Sequence, residues 1–232
     1  MYQLIKLEFK KNKIGWYIKG AIIANIIILG MLCLLTVIEK VEGETIFRTF
    51  NDFFMISGIL IRGTFTVFAA VLISKVIIDE FKNRTSLIMF SYPINRKKIM
   101  ASKLLLIFSL TLVTMFFSTI IIIISFTGLN QFFHLTSILD LPNNYFVSEI
   151  ISLMMFNLMA AGASLVPLYF GMIKFSTPAT IISSLIIVMV TSSSIGSDFS
   201  LANIFYIPLA LSIVAVIIIL LSIRNINHIE LG

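Results

Sequence analysis

The 232-residue chain is 59% hydrophobic and 12% charged, with a mean hydropathy of +1.06 and a formal net charge of +6. This composition lies outside that of soluble domains and belongs to a chain whose solvent is lipid. The positive balance reads as a membrane-topology signal and not as a nucleic-acid footprint, so no nucleic-acid partner is expected.

In chain order, residues 1–13 come first. At 100° per residue Met1, Tyr2, Ile5 and Phe9 share one face, with Gln3, Lys6 and Lys10 opposite. The pattern predicts a short amphipathic helix lying at the inner membrane interface, before Asn12 and Gly15 turn the chain inward. Such a helix anchors to lipid, contacts a cytosolic partner, or does both. Apolar runs of about 20 residues, the length that crosses a hydrocarbon core as a helix, then recur six times. They fall at 16–38, 57–78, 104–125, 149–172, 177–195 and 203–223. The first run is too long for the apolar region of a signal peptide and is read as a permanent helix. Lone Cys33 within it has no cysteine to pair with and reads as a small packing residue. The expected fold class is an all-α polytopic membrane protein, one domain over 1–232 with six transmembrane helices.

Basic residues set the expected orientation. Lys6, Lys10, Lys11, Lys13 and Lys19 flank the first run; Lys75, Lys82, Arg84, Arg96, Lys97, Lys98 and Lys103 cluster around the second connection; Lys174 and Arg224 sit on the same side. The opposite side carries Lys40 and Arg48 among Glu39, Glu42, Glu44, Asp52, Asp140, Glu149 and Asp198. Positive charge stays inside, so both termini are expected in the cytoplasm of a multi-pass protein of the cell membrane.

Within the second span Arg62 is a charge well inside an apolar run. At 1.5 Å per residue it lies about 24 Å from Ile78, in the outer portion of a roughly 30 Å core. Its side chain can snorkel to the headgroups, or it can touch substrate or a dimer partner. Met154, Met155 and Met159 in the fourth span are open to two readings as well, a deformable wall for apolar shapes or ordinary packing. Ala160-Ala161-Gly162-Ala163-Ser164 is expected to let two helices approach closely, and Pro167 to kink the span one turn later.

Several chemistries have no residues to carry them. Gly15 and Gly20 have the opening spacing of a phosphate loop, but Ala21 and Ile22 stand where Lys and Ser/Thr must be. Ser164 has no His in a later span to activate it, and no Cys/His/carboxylate cluster suits a metal. No acid lies deep in a span to relay protons or couple ions. No connection reaches the roughly 40 residues that a soluble unit would need, so no catalytic domain is expected within the chain.

The connection 79–103 is the longest charged stretch. Lys75 and Asp79 stand at i, i+4 spacing, Glu80 follows, and Thr85 opens a stretch containing Leu87, Ile88 and Phe90 that Pro93 ends. Asn95 then suits an N-cap for Arg96-Lys97-Lys98-Ile99, which leads through Lys103 into the third span. The expectation is a short cytoplasmic helix pinned at the membrane between spans two and three.

At these residues the chain resembles the permeases of ATP-binding cassette (ABC) transporters, specifically the type-2 exporter family in its short single-domain form. Glu80, Thr85, Leu87, Ile88, Pro93, Asn95, Arg96, Ile99 and Lys103 stand where that family has its loop between spans two and three, with Arg84 replacing a frequent Gly. The resemblance implies a permease without its own ATP site. It would pair with a second permease chain, identical or sibling, each gripping a separate cytosolic ATPase that binds ATP and Mg. Glu80, Thr85, Leu87, Ile88, Pro93, Asn95, Arg96 and Lys103 would then form the coupling contact, and this chain would itself bind no cofactor. Short members of the family move amphipathic peptides, hydrophobic drugs, lipids or glycans, and the substrate expected here is an amphipathic peptide or hydrophobic toxin. A six-span scaffold or sensor recruiting a cytosolic partner, or a secondary transporter, shares the same composition, and a loop that binds lipid headgroups would share the same charges.

Overall fold

The computed structural model describes residues 15–42, 47, 50–82, 96–133, 146–192 and 206–225, and these are helical apart from short turns. The expected interfacial helix at 1–13 and the loop residues Thr85, Leu87, Ile88, Pro93 and Asn95 lie outside them. α1 is Gly15–Glu42. α2 runs from Phe50–Ile73 through a π-helical turn at Ser74–Ile78 to Asp79–Lys82. α3 is Arg96–Phe133, α4 Phe146–Ala163, α5 Pro167–Lys174, α6 Thr177–Ser192 and α7 Tyr206–Asn225. Among the described residues there is no strand.

Isoleucine-rich segments are helical here for a reason that propensity alone does not supply. In hydrocarbon every backbone N–H and C=O must be satisfied within the segment, and the helix does this. The hydroxyls buried in these helices turn back on their own backbones: Thr66 donates to the Arg62 carbonyl (2.7 Å), Thr111 to Ile107 (3.0 Å) and Thr119 to Met115 (2.9 Å). Each is thereby paired without needing water. Apolar side chains also face outward, among them Ile22, Ile23, Ile26, Ile27 and Leu34 on α1 and Phe117 and Ile124 on α3. A helix that is apolar on both faces belongs in a membrane.

Four helical stretches are long and apolar enough to cross: Gly15–Glu42, Asp52–Lys82, Lys97–Phe133 and Glu149–Ile173. Shorter apolar helices cover Thr177–Thr191 and Leu209–Ile218. The protein is thus a helical, membrane-embedded chain. α3, at 38 residues, extends about 57 Å, well past a hydrocarbon core of roughly 30 Å.

α2 is the central helix and packs against α1, α3, α4, α5 and α6, while α7 packs chiefly on α4. Two apolar clusters line this arrangement. One gathers Tyr17, Ile73, Val76, Ile77, Ile78, Phe81, Leu104, Ile107 and Leu168 near the end where residues 83–95 connect α2 to α3. The other gathers Ile28, Leu32, Phe53, Phe54, Phe65, Met115, Phe126 and Ala161 toward the opposite end, where Phe53 stacks on Phe126 at 4.6 Å.

The fourth predicted span is interrupted. α4 ends at Ala163, residues 164–166 form a turn, and Pro167 opens α5 at its N-terminal position. Through the turn the ladder tightens to i→i+3 bonds, Leu165 N–H to Gly162 (3.1 Å) and Val166 N–H to Ala163 (3.0 Å). A proline offers no N–H, and its ring would collide with the Ala163 carbonyl in an unbroken helix. The small residues before the break do admit a close approach: a Cβ on Gly162 would stand 2.9 Å from the Cβ of Ser212 on α7.

Candidate functional site

The residues that flank 83–95 converge on one polar knot in an apolar setting. Glu80, in the last turn of α2, forms an ion pair with Lys103, in the third turn of α3; the Lys103 side chain is buried at 3% exposure and that of Glu80 partly buried at 12%. The Lys103 ammonium also donates to the Val76 carbonyl at 3.1 Å. Val76 lies in the π-helical turn, where Asp79 N–H reaches back five residues to the Ser74 carbonyl. Such a turn carries one residue more than a regular ladder, and π-turns concentrate at functional positions. Around this knot pack Ile77, Ile78, Phe81, Met100 and Leu104, a surrounding in which an ion pair is weakly screened and an unpartnered charge would be costly.

Two further contacts brace the same end of the molecule. The Phe81 ring stacks on Phe175 with centroids 5.6 Å apart and planes 15° from parallel. Phe175 links α5 to α6 in a left-handed conformation, φ 45°, with its N–H donated to the Gly171 carbonyl. That region suits glycine or asparagine, and a phenylalanine held there carries backbone strain that the stacked ring helps offset. On the other flank the Lys75 ammonium lies 3.7 Å from the centroid of the Trp16 ring on α1, and Tyr17 bonds Thr114 of α3 at 3.0 Å between hydroxyl oxygens. The roots of the 83–95 connection are therefore tied to α1, α3 and the α5–α6 link together.

Of the residues singled out in sequence for this connection, the structure brings Glu80 and Lys103 into direct contact. Arg96 is the first described residue of α3; the expected N-cap Asn95, with Thr85, Leu87, Ile88 and Pro93, is outside the described residues. Val76, Phe81, Phe175 and the Lys75–Trp16 pair were not singled out as site residues. Spacing exposes Lys75 and Asp79 as a helical pair but gives no sign of a π-turn, and a stacked pair separated by 94 positions has no local signature.

Arg62 lies between α2 and α4. Its Nη1 is buried without a hydrogen-bond partner, and its guanidinium carbon is 5.3 Å from the centroid of Phe156. One residue on, Asn157 donates from its amide nitrogen to Thr119 of α3 at 2.8 Å, while its carbonyl oxygen is buried and unpaired. Met154 and Met159 are half-buried and Met155 is exposed. None of the three lines the large apolar groove of about 640 Å³ between α5, α6 and α7, whose walls include Phe170, Ile182, Ile186 and Leu211.

No family model matches the chain, and no solved structure matches it. A protein of Bacillus subtilis (strain 168) described as uncharacterized protein YcbO is 43% identical over 222 residues, which span 96% of each chain. At that identity over almost the full length, the chain belongs to the same family as YcbO.

Proposed function

We propose that this member of the YcbO family is the permease subunit of an ABC exporter, one half of a translocation path whose energy comes from a separate cytosolic ATPase. In this reading α1 to α3, the broken pair α4–α5, α6 and α7 supply six spans, with both termini and residues 83–95 in the cytoplasm. The substrate would be an amphipathic peptide or hydrophobic toxin, carried out of the cell or out of the membrane.

The observation that supports the reading best is the Glu80–Lys103 pair, with its buried ammonium bonded to the Val76 carbonyl. A loop that only enforced topology would need charge at its surface and no more. Here an acid and a base from the two ends of the loop are locked inside the helix bundle, so a push on residues 83–95 reaches α2 and α3 as one body. The adjoining π-turn and the stacked Phe81–Phe175 pair extend the connection to the α5–α6 link. That is the mechanical requirement for a contact through which closure of an ATPase is to move spans.

The test is co-expression with the ATPase from a neighbouring reading frame. The two should co-purify; Arg96→Ala should leave the permease inserted while lowering ATPase docking, because charge-assisted contacts are the stronger ones in such a loop, and Glu80→Ala, which strands the Lys103 ammonium, should uncouple hydrolysis from transport while also destabilising the chain. Unchanged transport in both variants would reduce the loop to a topology device.

A further inference from the structure

Arg62 is a cation in the apolar body of α2, and among the described residues no carboxylate pairs with it. Its Nη1 is buried with no hydrogen-bond partner. The side chain runs back along the helix toward Phe50: Nη1 sits 2.9 Å from where a Cβ on Gly58 would stand, and Leu153 of α4 borders the same space at 2.7 Å. Glycine at 58 is what leaves the room, and the direction is the one long helical side chains take. The residue as a whole stays partly exposed.

A guanidinium in hydrocarbon is costly unless it finds a partner. The Phe156 ring at 5.3 Å offsets part of that cost. The remaining demand is for an anionic oxygen. Position narrows its source. Arg62 lies about 24 Å along α2 from Ile78, close to one boundary of a roughly 30 Å core, and its side chain reaches about one turn further toward that boundary. Headgroups occupy that level, and the neighbouring walls, Leu153 and Phe156, are apolar.

We propose that Arg62 anchors the headgroup of an anionic amphiphile at the seam of α2 and α4, in the leaflet nearer Phe50. Phosphate or carboxylate oxygens meet the guanidinium on the side that stays exposed, away from buried Nη1, and the apolar tail lies along the helices below it. This inference rests on placement in a membrane and stands apart from the export reading.

Native mass spectrometry of the detergent-purified chain tests it, with phosphatidylglycerol and phosphatidylcholine of matched acyl chains as probes. The intact protein should retain the anionic lipid preferentially. Arg62→Gln, which keeps donors but loses charge, should weaken that retention on the order of tenfold, and Arg62→Lys should keep most of it. Equal retention of the two lipids, or unchanged retention in Arg62→Gln, overturns the proposal. A second arm needs no variant: a phosphatidylglycerol carrying a photoreactive group beside its headgroup should label the α4 segment around Leu153 and Phe156. Labelling confined to other segments, or a cross-link there to a second copy of the chain in place of lipid, overturns it equally. Competition by oleate identifies the source: displacement means any anionic oxygen head is accepted, and failure to displace means the phosphate is required; both outcomes support the anchor.

Discussion

Lys103 shows how far a residue's role can depart from its sequence setting. It follows Arg96, Lys97 and Lys98 in a basic stretch and reads as one more topology charge, yet its side chain is 3% exposed and divided between Glu80 and the Val76 carbonyl. Removing one member of a buried pair leaves the other uncompensated, whereas replacing both removes the conflict. Lys103→Met should therefore destabilise the protein by about 3–5 kcal/mol, and adding Glu80→Gln to it should recover a substantial part. Equilibrium unfolding in micelles measures both. Equal stability of Lys103→Met and the parent would mean that the pair holds nothing.

The elements divide according to whether local sequence decides them. The break ahead of α5 follows from Pro167, because proline acts on its own helix. The long apolar runs name α1 to α4 for the same reason. The left-handed Phe175 and the π-turn at Ser74–Ile78 exist because distant parts hold them, Phe81 in one case and Lys103 in the other, and neither leaves a trace at its own position. The small-residue run at 160–164 lies between these extremes: its composition announces a close contact, and only the fold names α7 as the neighbour. Gly162→Val should thus drive side-chain atoms into Ser212 and lower stability by about 1–3 kcal/mol, with Ser212→Gly restoring much of the loss. Thermal unfolding in detergent reads this, and an unchanged midpoint in Gly162→Val would contradict the close α4–α7 approach.

At the scale of the whole molecule, charge asymmetry and helix connectivity carry the account. If basic residues hold their side of the membrane inside, a reporter active only outside the cell should work when fused near Asn143 and fail near Asn95 or Gly232. The reverse pattern would invert the chain and place the Glu80–Lys103 knot away from any cytosolic ATPase. Assembly reaches the central claim most directly. If the chain is the half-transporter proposed above, the complex purified in nanodiscs should have the mass of two permease chains with two ATPase chains, and cross-links should join the permeases. A single permease chain that transports at full rate, or a chain that purifies with no ATPase at all, would contradict the half-transporter account.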